Sequence, residues 1–256
     1  MKNRNPFRFI NHPLILIYVI AIWPATGMAG ALVDNSIYAE LLGKYVHKGT
    51  VDYDGLKKEE ARLDSYLKLL EKADSADLPR DEQFAFYANA YNAWTIKLIL
   101  SGYPRIDSIK DLGSLFKSPW KKKIVRIDGE VLTLDNVEHD ILRPRFKDPR
   151  IHFAINCAAY SCPPLGSEPF RGADLDEQLD EVTRRFVNNP KRSYLEGDTL
   201  YVSKIFKWFA EDFNNDPYGF VVNYADGDFK ENLEAARGRV TVKYLPYDWS
   251  LNNRPQ

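Results

Sequence analysis

The stretch Asp81-Glu-Gln-Phe-Ala-Phe-Tyr-Ala-Asn-Ala-Tyr-Asn-Ala-Trp-Thr-Ile-Lys-Leu-Ile-Leu100 predicts the central helix of the fold. Its apolar residues go almost all the way round a helical wheel, which is typical of a buried helix, and Gly102 and Pro104 predict its end. Asn89 and Asn92 lie three residues apart, so both amides share one face of this helix. A buried amide needs hydrogen-bond partners, and the two asparagines therefore either hold neighbouring loop backbone or line a polar cleft.

Shorter elements are predicted on both sides of this helix. Apolar residues at helical spacing predict helices at 36–47 and 56–73, and Asp128-Gly129 between two apolar runs predicts a β-hairpin over 123–134. Asp135, with Glu138 three residues later, predicts a capped helix start that carries His139. Further helices are predicted at 175–188, 205–213, from Pro217 to before Gly227 and at 231–237, and strands at 199–202 and 240–245. The chain from residue 32 to 256 is therefore predicted to be one α+β domain, with the central helix packed on a small, mostly antiparallel sheet.

The stretch Arg150-Ile-His-Phe-Ala-Ile-Asn-Cys-Ala-Ala-Tyr-Ser-Cys-Pro-Pro-Leu165 is where we expect the chemistry. Alternating apolar residues at its start predict a buried strand over 151–155 that carries His152. The strand leads into a loop with Asn156, Cys157 and Cys162, and two prolines prevent any regular element from following directly. Loops that follow buried strands commonly carry functional residues, so a site is predicted around His152 and Asn156.

Cys157 and Cys162 are the only cysteines of the chain, and their spacing allows three interpretations. They can form a disulfide, which an oxidising compartment favours. Cys157 can instead be a nucleophilic thiolate with His152 or His139 as its base. A zinc site would need further ligands that the spacing does not supply. The sequence also has no His-Glu-x-x-His motif, phosphate-binding glycine loop or dinucleotide fingerprint, so neither a metal nor a cofactor is predicted.

The first 31 residues have the order of a secretory signal peptide. Lys2, Arg4 and Arg8 form a basic start, an apolar stretch follows, and Ala29-Gly30-Ala31 supplies small residues for cleavage. The alternative is an uncleaved membrane anchor over residues 10–31, although its strongly apolar part is short for a bilayer. The chain carries a formal net charge of −1, and removing the leader makes it more acidic, which argues against nucleic-acid binding. We therefore expect an exported, periplasmic or secreted protein.

Five motifs in order resemble the domain-of-unknown-function 547 (DUF547) family. They are Tyr45-Val-x-x-Gly-x-Val-Asp-Tyr53, Asn89-Ala-Tyr-Asn92, His152-Phe-Ala-x-Asn-Cys-Ala-Ala-x-Ser-Cys-Pro-Pro-Leu165, Ile205-Phe-Lys-Trp208 and Leu245-Pro-Tyr-Asp-Trp-Ser-Leu-Asn252. The resemblance implies an exported bacterial member, and it assigns no biochemical activity. The order of elements is also similar to papain-like and transglutaminase-like folds. In those folds the central helix brings a cysteine, whereas the matching helix here has Asn89 and Asn92.

Two hypotheses follow from these patterns. In the first, the chain is a cell-envelope domain that binds a peptide, glycan or partner protein in a polar cleft lined by Asn89, Asn92, His152 and Asn156. In the second, it is a cysteine-dependent hydrolase or acyltransferase with Cys157 as nucleophile and His152 as base. The sequence leaves the enzyme question open. The first hypothesis is favoured because exported cysteines at this spacing are more easily kept as a disulfide than as a thiolate.

Overall fold

The computed structural model describes residues 32–114 and 116–253. The predicted signal peptide lies outside these residues. In the described part of the chain the helices are α1 (Ser36–Tyr45), α2 (Tyr53–Lys58), α3 (Glu60–Lys72), α4 (Arg80–Leu100), a π-helix (Asn136–Leu142), α5 (Arg143–Phe146), α6 (Ile151–Ala154), α7 (Leu175–Val187), α8 (Ile205–Trp208), α9 (Pro217–Tyr224) and α10 (Gly227–Ala235). Short 3₁₀ turns occupy Ile109–Leu112, Pro119–Lys121, Gly172–Asp174 and Ala210–Phe213. Among the residues described, no helix is both long and apolar enough to cross a membrane.

Helix α4 is the centre of the fold, as the sequence predicts. Of its 21 residues, 17 are buried, because other elements surround it on all sides. It contacts α3, α7, the π-helix and the hairpin strand that begins at Val125. Burial of a nearly complete helical surface explains why its sequence lacks a polar face.

Three small sheets lie around the helices. Strands β1 (Val46–His47) and β2 (Thr50–Val51) pair antiparallel, as do β3 (Val125–Ile127) and β4 (Glu130–Leu132). In the third sheet β6 (Thr199–Val202) pairs antiparallel with β5 (Ser193–Glu196) and parallel with β7 (Thr241–Tyr244). The α+β class is thus confirmed, and Asp128 and Gly129 form the predicted hairpin turn with positive φ angles of 53° and 73°.

The predicted strand at 151–155 is wrong, because the chain forms one helical turn there. The side-chain oxygen Oδ1 of Asp148 accepts a hydrogen bond from the amide of Arg150, and the amide of Ile151 donates to the carbonyl of Asp148. These bonds start α6, and no strand lies beside it for pairing. A short buried helix and a buried strand give the same run of apolar residues, so periodicity could not separate them.

Two other predicted elements differ in detail. The helix expected at 56–73 is divided at Glu59, because the backbone angles of this residue leave the helical region. The Glu59 carboxylate accepts hydrogen bonds from Tyr45, Lys44 and Arg62. The capped helix start at Asp135 is also wrong. Asp135 makes no capping bond, and Glu138 is buried toward α4 instead of folding back on the backbone.

The C-terminal segment is fixed to the body of the domain. The side chain of Asn252 accepts a hydrogen bond from the Tyr53 hydroxyl at 2.7 Å, and its backbone bonds to Val51 and Ala158. The segment therefore brings Tyr247 and Trp249 beside the loop that contains the two cysteines.

Candidate binding site

A cavity of about 210 Å³ opens between the π-helix, α6, α8 and the C-terminal segment. Aromatic rings form much of its wall, and four titratable side chains also line it: Asp135, Glu138, His139 and His152. We call this cavity, bounded by Trp120, Trp208, Tyr247 and Trp249, the aromatic groove. An apolar cavity with a few converging polar groups is the usual form of a small-ligand site.

The aromatic wall is a continuous cluster. The ring centroids of Tyr247 and Trp249 lie 4.6 Å apart, and those of Trp208 and Tyr247 lie 4.8 Å apart. Trp249 also contacts Trp208 and Trp120, each at 5.7 Å between centroids. Trp208 remains 46% exposed, although it is a large apolar side chain. The wall therefore presents an aromatic surface that solvent or a ligand can reach.

His152 lies deep in the groove and is held from two sides. Its Nε2 atom is 2.6 Å from Oδ2 of Asp212, and its ring stacks on Phe209 with 4.0 Å between centroids. Only 1% of the side chain is exposed. Burial lowers the pKa of His152, while Asp212 acts in the opposite direction. Because an ionised carboxylate only accepts hydrogen bonds, Nε2 of His152 donates its proton to Asp212.

Arg143 joins both histidines to the same carboxylate. Its guanidinium binds Asp212 at two points, Nε to Oδ2 at 2.6 Å and NH2 to Oδ1 at 3.0 Å. Hydrogen bonds from His152 and Arg143 hold the pKa of Asp212 well below its usual range. NH1 of Arg143 also donates to Nδ1 of His139 at 2.9 Å. Because a guanidinium only donates, this bond leaves the ring proton of His139 on Nε2.

Glu138 is the buried acid of the groove. It is 9% exposed, and among the described residues the Tyr91 hydroxyl is its hydrogen-bond donor, at 3.3 Å from Oε2. Burial raises the pKa of Glu138 to about 7. Burial likewise lowers the pKa of His139 on the next residue, with Asp135 opposing it. A π-helix is uncommon and is often found at functional sites, and here it carries Glu138 and His139.

Cys157 and Cys162 form a disulfide at the inner end of the groove. The Sγ atom of Cys157 lies 3.4 Å from the Tyr247 hydroxyl, and the backbone amide of Cys157 donates to Sγ of Cys162 at 2.8 Å. In this state Cys157 has no thiolate, and the ring nitrogen of His152 is engaged by Asp212 instead. Of the three interpretations of the cysteine pair, the structure therefore agrees with the disulfide.

The three asparagines predicted for the site bind loop backbone. Asn89 bonds both the carbonyl and the amide of Phe170, at 2.8 and 2.9 Å. Asn92 donates to the carbonyl of Ala154 at 3.0 Å and accepts from the amide of Asn156 at 2.8 Å. Asn156 in turn bonds the carbonyl of Pro163 and the amide of Ala158. Of the residues predicted to line a polar cleft, only His152 lines the aromatic groove.

Several residues in the groove or in contact with it are not evident from the sequence. Arg143 and Asp212 give no local signal, because they lie 69 residues apart and only the fold brings them together. The sequence predicts Glu138 as part of a helix cap, and the polar residues His139 and Asp140 that follow it give no sign of burial. Trp208 and Trp249 lie in two of the family-like motifs, and this is the sequence feature that points to the aromatic side of the site.

The disulfide leads to a prediction about both cysteines. Because each substitution removes the same cross-link, Cys157→Ala and Cys162→Ala should each lower the free energy of unfolding by about 2 kcal/mol. Urea denaturation measures this loss, and the double variant should lose no more than either single one. Iodoacetamide should label neither thiol before reduction. Selective labelling of Cys157 in the native, unreduced protein would contradict the prediction.

Taken together, the fold and the groove define an α+β domain with a ligand-sized aromatic site beside a disulfide. The family model of DUF547, described as a protein of unknown function, matches residues 75–187. Residues 75–187 thus match the family that the sequence motifs indicate, and the family prediction is confirmed. The match includes α4, the π-helix, His152 and the disulfide, whereas Asp212 and most of the aromatic wall lie outside it. No curated protein and no solved structure shows a significant match to the chain.

Proposed function

We propose that this chain is an exported cell-envelope domain that binds a peptide segment in the aromatic groove. The proposal depends on the cavity itself, in which four aromatic side chains lie beside the buried side chains of Glu138 and His152. Aromatic side chains supply most of the binding energy at many protein interfaces. Burial of the exposed part of Trp208 by a ligand would add apolar contact without a large change in the domain.

A peptide fits the groove better than a glycan does. Sugar rings bring many hydroxyl groups, and each needs a hydrogen-bond partner when it leaves water. Nε2 of His152 and Nδ1 of His139 are engaged by Asp212 and Arg143. The carboxylates of Asp135 and Glu138 remain, and an ionised carboxylate accepts hydrogen bonds but donates none. An amino-acid side chain requires fewer such bonds and can use the aromatic wall.

Export is supported by two independent features. The first residues combine a basic start, an apolar stretch and small residues, the order of a signal peptide. The disulfide between Cys157 and Cys162 also suits an oxidising compartment. The cysteine-hydrolase alternative lacks comparable support, since the sulfur of its nucleophile is bonded to a second sulfur.

Trp208→Ala tests the proposed function. The probe is a set of blocked tripeptides, acetyl-Ala-X-Ala-amide, in which X is each of the common amino acids in turn. At least one member should bind the wild-type protein, and Trp208→Ala should weaken its binding about tenfold or more, since a central aromatic contact is lost. Isothermal titration calorimetry measures both affinities.

Phe116→Ala is the matched control, because Phe116 is 94% exposed and does not line the groove. It should leave the affinity unchanged. If no tripeptide binds, or if both variants bind like the wild type, the peptide groove is contradicted. Binding of chitin oligosaccharides in place of every peptide would favour a glycan.

A further inference from the structure

The charged side chains that line the aromatic groove are both acidic. They are Asp135 and Glu138, three residues apart at the start of the π-helix. No lysine or arginine among the described residues lines the groove. Arg143 does not line the groove, and its two hydrogen bonds to the Asp212 carboxylate offset its charge. Burial lowers the pKa of both histidines and so disfavours their charged forms, and the groove lining therefore has an excess of acidic over basic charge.

Glu138 has no cation in direct contact among the described residues, because Arg143 attracts it only from a distance and is bound to Asp212. Its hydrogen bond from Tyr91 is long, at 3.3 Å, and no ion pair to it is formed within the described residues. Buried carboxylates are normally paired with a cation or strongly hydrogen-bonded. Asp135 is 35% exposed, and its closest basic contact is Nε2 of His139 at 3.8 Å. Both carboxyls are therefore available to a cation that enters the groove.

The aromatic wall also favours a cation. Aromatic faces attract ammonium groups through the ring quadrupole. One ring of the wall already shows this interaction, because Nζ of Lys110 lies 3.9 Å from the centroid of Trp249. The groove lining thus combines anionic side chains, which suit an ammonium group, with aromatic rings, which suit the apolar chain that carries it.

We propose that the aromatic groove binds the lysine side chain of a peptide, with its alkyl chain along Trp208 and Trp249 and its ammonium at Asp135 and Glu138. This inference rests on the proposed peptide-binding function and adds the chemistry of the ligand. Lysine suits the site because its alkyl chain contacts apolar rings while its charged end reaches a carboxylate.

The test compares three blocked tripeptides, acetyl-Ala-X-Ala-amide, in which X is lysine, Nε-acetyl-lysine or norleucine. Calorimetry at pH 7.5 should show the lysine peptide binding about tenfold more tightly than either neutral peptide, which corresponds to one charge-assisted contact. The neutral peptides share the alkyl chain, so the difference isolates the ammonium group.

Asp135→Asn should remove most of this preference, so that the lysine and norleucine peptides bind with similar affinities. Asp140→Asn is the matched control, since Asp140 belongs to the same π-helix and does not line the groove. It should preserve the preference for lysine. Higher salt should weaken binding of the lysine peptide and have little effect on the norleucine peptide.

Equal binding of the three peptides, or a lysine preference that survives in Asp135→Asn, would overturn the ammonium inference. In that case the proposed function would still stand if Trp208→Ala weakened the binding of all three. Binding of glucosamine oligomers with the same dependence on Asp135, and no binding of the lysine peptide, would also overturn it and would indicate an amino sugar. Absence of any peptide binding would overturn the proposed function itself.

Discussion

At pH 8, Glu138→Gln should raise the free energy of unfolding by about 3 kcal/mol relative to the wild-type protein. Burial raises the pKa of Glu138 from its ordinary value of 4.5 to about 7, so the folded state holds this proton more tightly than the unfolded state. The contribution of the protonated carboxyl is fully present below pH 4.5 and is lost as pH rises through 7. Above that pH the folded protein keeps a buried carboxylate, whereas glutamine stays neutral and still accepts from Tyr91.

The gain from Glu138→Gln should therefore depend on pH. Urea denaturation should show it decreasing from pH 8 downward and vanishing near pH 4, where both side chains are neutral. Glu130→Gln is the control, because Glu130 is exposed in the β-hairpin, and it should have little effect at any pH. If Glu138→Gln is less stable than the wild type at pH 8, the carboxylate has a stabilising partner in the folded protein and the description of this buried acid is wrong.

Asn92→Leu should lower the free energy of unfolding by about 2–4 kcal/mol, although it adds apolar volume to the core. The substitution removes the donor to the Ala154 carbonyl and the acceptor of the Asn156 amide. Both backbone groups are buried, and each unsatisfied group costs about 1–3 kcal/mol. Asn89→Leu should have a similar effect, because Asn89 bonds both backbone groups of Phe170.

Thr95→Val is the matched control for the asparagine variants. Thr95 lies one turn further along α4 and is equally buried, yet its hydroxyl has no hydrogen-bond partner among the residues that the structure describes. Its replacement by valine should be neutral or stabilising in the same denaturation experiment. A neutral or stabilising Asn92→Leu would show that the amide does not support the loop, and a ligand-facing role for Asn92 would then regain support.

The long elements of this fold follow from sequence periodicity, whereas the short ones do not. The apolar pattern of α4 is compatible only with a buried helix, and Asp128-Gly129 between two apolar runs only with a hairpin turn. The structure contains both elements. The segment Ile151–Ala154 has two interpretations, because a short buried run of mainly apolar residues suits a strand and a helical turn equally. The amides of Arg150 and Ile151 are bonded to Asp148 just before the helical turn, and no strand of the described residues lies beside the turn.

The site could be predicted only where its residues are neighbours in sequence. His152, Cys157 and Cys162 lie within one stretch, and all three line the aromatic groove. Asp212 is 60 residues from His152, and nothing in its local sequence distinguishes it from other exposed acids. The sequence singles out the helix asparagines because a buried amide must find hydrogen-bond partners. In the structure those partners are the backbone groups of two loops.

The central claim is that a ligand enters the aromatic groove, and the indole N–H resonances of the tryptophans test it most directly. Trp120, Trp208 and Trp249 line the groove. Trp94 is buried in α4, where no group within residues 32–114 and 116–253 bonds its indole nitrogen, and it provides an internal reference. In ¹H–¹⁵N spectra, saturating acetyl-Ala-Lys-Ala-amide should shift the resonances of the three groove tryptophans and leave that of Trp94 in place. Unchanged groove resonances at saturation, with peptide binding still detected by calorimetry, would place the ligand elsewhere and contradict the account.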